Sequence, residues 1–315
     1  SANQIYNDNQ YSGRVDQQWG TSNVGGRYMY QESESAGTGQ VTPSGLTTFV
    51  PSNRHAVTGW WTKSWGGSLL NEARFGFQRL DTTTTASDPS SEAIPSIEIS
   101  ELGLTGFNAA ANRTAIGLAV NLPQYRKNNT YQYVDTLSFL RGNHAFKAGI
   151  DIRRVEVESF FFPQIRGLLR YPTLQRFVDD VAEAVNINRP VTGGKEIQFY
   201  DWTDFFAFFQ DEWRVSDNFT LNIGLRYETP GNSIASLYPV SDEIVAANGG
   251  DPEYAMTPQP KRDTDNWQPR VGFNWNPKTD GTGILGFLTG GDKMVVRGGY
   301  ARTYDYAFIN INLNI

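Results

Sequence analysis

Few side chains in this 315-residue chain are suited to making or breaking bonds. There is no cysteine and there are only two histidines, His55 and His144. That removes thiol nucleophiles, Cys-ligated zinc and disulfide frameworks, and leaves a His-rich metal centre without ligands. Asp211-Glu212 is a carboxylate pair of the type used in acid–base catalysis, but neighbours on a strand point to opposite faces and cannot converge on one substrate atom. Gly281-Thr282-Gly283-Ile284-Leu285-Gly286 matches G-x-G-x-x-G. That fingerprint binds a dinucleotide only between a buried strand and a helix of a βαβ unit, whereas here Asn276-Pro277-Lys278-Thr279-Asp280 precedes it and more glycine follows, the composition of a flexible connector. Neither a G-x-S-x-G elbow nor H-E-x-x-H is present. Sequons at Asn112, Asn128 and Asn218 carry little weight, and Asn218 is better explained by a turn. The acidic residues Glu32, Glu34, Asp88, Glu92, Asp179, Asp180, Asp242, Asp251 and Asp263 read as solvated loop charge. No catalytic residue, cofactor or metal is expected, and the chain is not read as an enzyme.

The elements that position these residues show a dominant period of two. Leu221, Ile223, Leu225 and Tyr227 alternate with Thr220, Asn222, Gly224 and Arg226; Phe146, Ala148, Ile150 and Ile152 alternate with Lys147, Gly149, Asp151 and Arg153. The same rhythm runs through Arg270–Trp275 and Lys293–Tyr300, marking strands with one apolar and one polar face. About ten strands are predicted by these signals, over 8–19, 22–31, 54–65, 69–81, 127–140, 144–158, 197–215, 219–229, 266–276 and 293–305. Tight turns at Gly20-Thr21, Gly66-Gly67-Ser68, Arg141-Gly142-Asn143 and Ser216-Asp217-Asn218 alternate with long connectors over 32–53, 82–126, 159–196 and 230–265. Pro277–Asp292 breaks the rule, being long where a short turn is due. Periodicity predicts a helix over 174–185, with Leu174, Phe177, Val178, Val181, Ala182 and Val185 on one stripe, and another over 241–248 capped by Ser241 and stopped by Gly249-Gly250.

Mean hydropathy is −0.46 and the net charge −6. No apolar run reaches the length of a membrane helix, and the mild acidity argues against nucleic acid as a partner. Strands of this length, joined by short turns at one end and long loops at the other, are those of an antiparallel transmembrane β-barrel. Facing Phe146, Ile150, Leu221, Ile223, Leu225, Val271, Phe273 and Val296 outward to lipid puts Lys147, Asp151, Asn222, Arg226, Arg270, Asn274 and Arg297 inward, as lumen candidates. Trp60, Trp61, Trp65, Trp202, Trp213, Tyr227 and Trp267 lie near predicted strand ends, where aromatic girdles form. A soluble β-sandwich or barrel is the alternative, since its inner face would alternate too.

FFAFFQDEWRVSDNFTLNIGLRYE (205–228) resembles the barrel hairpin of TonB-dependent outer-membrane receptors. NWQPRVGFNWNP (266–277) and VVRGGYARTYD (295–305) resemble the segments that follow it, and YVDTLSFLRGNHAFKAGIDIRR (133–154) and YSGRVDQQW (11–19) those that precede it. The order and spacing are similar to the Oar-like subfamily. The resemblance implies an outer-membrane barrel of 22 strands with short periplasmic turns, long extracellular loops and an N-terminal plug, energised by the TonB complex. It implies that residues 1–315 are one part of such a barrel, with the plug, TonB box, N-terminal module and C-terminal strands outside this sequence. Ser1 begins no signal-peptide pattern, and Ile309–Ile315 reads as a continuing strand.

The function so implied is uptake of a large or scarce substrate across the bacterial outer membrane. The alternative is a surface scaffold or adhesin whose loops bind a partner protein. Partners would be outer-membrane lipid and lipopolysaccharide, the TonB complex through the missing N-terminal part, and a substrate or surface protein. Arg166 and Arg170 are candidates for an acidic substrate or lipopolysaccharide phosphate, and Leu174, Phe177 and Val181 for a docking or lid surface on the loop helix.

Overall fold

The computed structural model describes residues 5–36, 47–104, 116–190, 196–255, 261–279, 281–291 and 293–305. The Asn112 sequon and the Ile309–Ile315 segment lie outside the described residues. In chain order the strands are β1 Ile5–Trp19, β2 Ser22–Ala36, β3 Thr48–Trp65, β4 Leu69–Ala86, β5 Ser96–Ile99, β6 Gln124–Arg141, β7 His144–Phe161, β8 Leu168–Tyr171, β9 Ala184–Asn186, β10 Ile197–Ser216, β11 Phe219–Thr229, β12 Asn266–Trp275 and β13 Val296–Ala301. The helices are α1 Leu174–Val178, α2 Tyr238–Ala247 and α3 Gly283–Thr289.

Ten of the strands form one antiparallel meander, β1-β2-β3-β4-β6-β7-β10-β11-β12-β13, in which each strand pairs with the next in the sheet. The four tight turns close where glycine and asparagine place them: Trp19 pairs with Ser22, Trp65 with Leu69, Arg141 with His144, and Ser216 with Phe219. Gly20, Gly66 and Gly142 adopt φ of 56°, 66° and 58°, the left-handed conformation these turns require. Because the meander alternates direction, every one of these turns lies at one end of the sheet and the four long loops lie at the other. The β12–β13 connection falls at the tight-turn end and carries α3.

Several strands outrun their predicted ends on the long-loop side. β3 starts at Thr48 and β4 runs to Ala86, as pairing with β3 at Thr48, Phe49 and Ser52 and with β6 through Thr84 holds the polar stretch Thr82–Thr85 extended without any apolar alternation. β13 is shorter than predicted: Met294 donates its backbone N–H to Thr289 O, 3.0 Å away, so it belongs to the end of α3 rather than to the sheet.

Packing follows an unusual distribution. The buried residues gather at the long-loop end, where Ala86, Leu118 and Leu122 cluster and Ile99, Leu168 and Tyr171 are buried nearby. The sheet itself leaves many large apolar side chains exposed, among them Phe75, Leu137, Phe209, Ile223 and Val271. The loop layer holds a second sheet, β5-β8-β9, with β5 parallel to β8. The helix predicted over 174–185 is cut to five residues: Thr173 caps it, and the chain turns at Asp180, φ 53°, whose carboxylate accepts from the Tyr171 hydroxyl at 3.1 Å. Val185 then pairs with Leu169. Pairing with a distant strand has overruled the local helical stripe. Ser241 is likewise no cap; α2 starts earlier, at Tyr238 with Pro239 in its first turn, and Ser241 is buried inside it. Gly249 and Gly250, both at positive φ, end it as expected.

Candidate functional site

Register decides the faces. Lys147 pairs with Gln210 and Ser138, Gln210 with Gly224, and Gly224 with Arg270. Asp151 pairs with Phe206, Phe206 with Glu228, Arg226 with Gln268, Asn222 with Gly272, and Asn274 with Arg297. Opposite residues of a ladder share a face, so all seven polar candidates stand on one side of the sheet. Phe146, Ile150, Leu221, Ile223, Leu225, Val271, Phe273 and Val296 stand on the other. Asp211 and Glu212 split between the two, as neighbours on a strand must.

The polar face carries both paired and unpaired charges. Toward the loops Arg153 pairs with Asp151 at 3.6 Å and Arg226 with Glu228, and close to the turns of β1 and β4 Arg14 pairs with Asp16 at 2.6 Å and Arg74 with Glu72 at 2.7 Å. Phe206, 4 % exposed, lies beneath two guanidiniums, with Arg226 at 5.0 Å and Arg153 at 5.8 Å from its ring centre. Nearer the tight turns, Lys147, Arg214, Arg270 and Arg297 have no carboxylate in ion-pair range among the described residues. Gln210, Asn222 and Arg270 rim a hollow of about 490 Å³ whose floor is glycine backbone, Gly224, Gly272 and Gly299. An uncovered cationic stretch beside a side-chain-free floor can receive an anionic group or a docked acidic segment.

The apolar face carries two aromatic rows. Trp19, Trp65, Trp213 and Trp275 lie by the tight turns, while Tyr28, Tyr30, Tyr131, Tyr133, Tyr227 and Trp267 form a second row toward the loops. Trp267 and Trp275 are eight residues apart on β12, close to the roughly 9–11 residues of a tilted membrane-crossing strand. Beyond the second row this face turns charged and self-paired: Lys127 with Glu158 at 3.6 Å, Arg154 with Asp201 at 2.7 Å, and Arg79 donating to Asn129 at 2.8 Å.

Two expected girdle residues are on the wrong side for that role. Trp60 pairs with Gly25 and Arg74, and Trp202 with Val155, all on the polar face. The Trp60 indole lies over Gly25, donates to Asn23 at 3.2 Å and is covered by the Arg14 guanidinium at 4.7 Å. A Cβ at Gly25 would fall 2.2 Å from the ring. Gly25→Val should therefore expel the indole from beneath Arg14, costing about 1 kcal/mol through the lost cation–π contact and shifting the Trp60 emission; unchanged emission from a variant that keeps Trp60 as its reporter would refute the stacking role.

His144 and Asp211 form a pair that the strand pattern alone did not indicate. They join across β7 and β10 at 2.7 Å on the apolar face, with the imidazole stacked on Phe146 and Trp213 at centroid distances of 5.3 and 5.2 Å. Pairing a polar couple and enclosing it in rings is how such a face tolerates a carboxylate. The signal available was that Asp211 shares parity with Phe209 and Trp213, and so needed a partner.

The loop candidates divide. Arg166 is not a free anion receptor. Its guanidinium donates to the carbonyls of Leu122, Leu118 and Ala119 at 2.9 Å each, to Ile94 O, and to Ser96 Oγ at 3.1 Å, and burial pushes its pKa down, partly offset by Glu92. Five donors in a rigid fork suit this stapling role. Arg170 is paired with Glu98 at 2.9 Å. Phe177 packs edge-on against Tyr171 at 5.2 Å, whereas Leu174 and Val181 stay exposed. The G-x-G-x-x-G segment joins antiparallel neighbours β12 and β13, so no βαβ unit exists; Gly286 is there because a Cβ would meet Gly281 backbone at 2.1 Å. Among the described residues no group of three metal-ligating side chains converges.

Comparison with known proteins agrees with this geometry. A family model described as an outer membrane beta barrel domain matches residues 1–315. The chain is 25% identical over 256 residues to the TonB-dependent transporter Oar of Myxococcus xanthus, covering 75% of this chain and 21% of that protein; it thus spans about a fifth of that relative's length. Among solved structures, P. aeruginosa FpvA in complex with an iron-loaded pyoverdine matches with a TM-score of 0.51 at 11% identity, over 87% of this chain and 34% of that one. The outer membrane transporter YddB from Escherichia coli matches at 0.44 and 9% identity, over 98% and 39%.

Proposed function

Because this chain belongs to the outer membrane beta barrel domain family and lies in the bacterial outer membrane, we propose that it is wall of a TonB-energised transporter that takes up a large or scarce substrate. The apolar face meets lipid, the polar face lines the lumen, and the tight turns are periplasmic. One observation carries the reading: consecutive strand pairing from β7 to β13 assembles Lys147, Asp151, Asn222, Arg226, Arg270, Asn274 and Arg297 on one face, with uncompensated cations toward the periplasmic end. These cations serve either as contacts for an anionic substrate or as a seat for a lumen-filling domain. Among the described residues ten strands form an open wall, and its two edges need strand partners to be stable in a bilayer. The outward ion pairs beyond the second aromatic row sit at lipopolysaccharide depth.

The test uses the full-length protein. It should bind the purified C-terminal domain of TonB, and cells expressing it should take up its substrate only while the proton-motive force is maintained. Absence of TonB binding by a correctly inserted barrel would reject the proposal.

A second reading, a scaffold whose loops dock a surface protein, is favoured by one feature. The loop layer exposes Val178, Val185 and Ile187 by 70, 67 and 55 %, beside Leu174 and Val181. Replacing Val178 and Val185 with serine should abolish partner capture and leave uptake unchanged under the scaffold reading.

A further inference from the structure

One connection at the tight-turn end differs from its neighbours. Between β12 and β13, α3 presents Ile284, Leu285, Phe287 and Leu288 with exposures of 80, 68, 86 and 64 %. At the helical spacing these four fill a stripe roughly 160° wide. The opposite side is closed: Gly286 is buried against Gly281, Thr289 Oγ1 lies 2.7 Å from Thr279 Oγ1, and Thr279 N donates to Gly291 O at 3.0 Å. The helix is thus fastened to its own loop with its apolar side turned outward, and such a patch calls for an apolar surface to cover it.

The two sides of the sheet offer different surfaces at this height. On the polar side the last row reads Arg214, Thr220, Asn274 and Arg297. Four large apolar side chains set against two unpaired guanidiniums would strip water from the charges without replacing it. On the other side Trp275 pairs with Val296, Phe219 pairs with Trp275, and Met294 is exposed, so the apolar surface continues to the base of the connection. We propose that α3 is an interfacial helix whose Ile284–Leu288 side is embedded in the periplasmic phospholipid leaflet beside Trp275, anchoring the β12–β13 connection at the membrane surface. This rests on the reading of the apolar face as lipid-facing. In sequence, Lys278 and Lys293 are offset by Asp280 and Asp292, so apolar area rather than attraction to anionic headgroups drives insertion.

The 315 residues contain no cysteine, so within them a spin label sits only where a cysteine is introduced, and any cysteine elsewhere in the full-length protein is replaced by serine. Phe287→Cys, Leu288→Cys and, as a lipid-face reference, Ile223→Cys are labelled after reconstitution in vesicles of phosphatidylethanolamine and phosphatidylglycerol. The expected result is frequent collision with oxygen and loss of collision with a water-soluble nickel chelate at 287 and 288, as at 223, unchanged when the phosphatidylglycerol fraction is raised. Adding Ile284→Ser with Leu285→Ser should restore chelate collisions at 287. Free chelate access at 287 and 288 in the parent protein overturns the proposal in favour of an aqueous helix. Exclusion of both reagents overturns it in favour of a helix covered by protein. A reference label at 223 that fails to meet oxygen would instead reject the lipid-facing assignment on which the inference depends.

Discussion

Arginine at Ile223 will destabilise the inserted barrel by about 2–4 kcal/mol, while arginine one residue earlier, at Asn222, will cost well under about 1 kcal/mol. Ile223 lies midway along β11, 47 % exposed on the apolar face between Leu221 and Leu225, and its ladder partners are Asp211 and Val271. A guanidinium there has Leu221, Leu225 and Val271 beside it, the one carboxylate across the ladder, Asp211, is already engaged by His144 at 2.7 Å, and snorkelling toward either aromatic row spans half the membrane. Asn222 is flanked by Glu212 and Gly272 on the polar face, where the added charge meets a carboxylate and open space. Reversible guanidinium unfolding of the full-length protein from phospholipid vesicles measures both. Equal costs at the two sites would mean that the two faces are not solvated differently, and would remove the basis for the transport reading.

The second large effect lies outside the membrane. Arg166→Ala should loosen the β5-β8-β9 layer, with a loss of about 3 kcal/mol in local stability, because carbonyls of Leu118, Leu122 and Ala119 and the buried Ser96 hydroxyl lose a donor they cannot replace from solvent. Arg166→Lys should recover little, since one ammonium cannot reach acceptors spread over segments around Ile94–Ser96 and Leu118–Leu122. Amide hydrogen exchange over 96–99 and 168–171 reads this directly, while exchange in the spanning strands should not change. Full rescue by lysine would show that charge, not the fork of hydrogen bonds, is what the layer needs.

The contrast between these two sites is also a contrast in legibility. At Ile223 the alternation of FTLNIGLRYE already assigns the face, because a strand has only two and its neighbours are apolar on one of them. The same local rule placed the hairpin turns to within a residue, since positive φ at Gly20, Gly66 and Gly142 is a property of the residue itself. At Arg166 the chain nearby says only that a cation is present. Its acceptors come from positions more than forty residues away, and no short-range pattern announces a convergence of backbone carbonyls.

The same distinction explains the errors. A helical stripe from Leu174 to Val185 is a local signal, and it lost to β8–β9 pairing, which is not local. Trp60 and Trp202 sit where girdle tryptophans would be expected along the chain, yet their parity puts them on the polar face, and Trp60 is held there by Arg14 and Asn23 from other strands. The alternation that revealed the outer face could have excluded both.

By itself, then, the sequence determined an antiparallel meander of long two-faced strands, its turn end and loop end, and the polar set from Lys147 to Arg297, because period two and turn chemistry act over a few residues. The tertiary structure alone decided which of those cations are paired and which are open, that Arg166 is spent on a loop layer, that His144 shelters Asp211, and that α3 exposes its apolar side at the tight-turn end. Each of these depends on side chains brought together across strands distant in sequence, where burial and hydrogen-bond satisfaction, rather than local propensity, set the outcome.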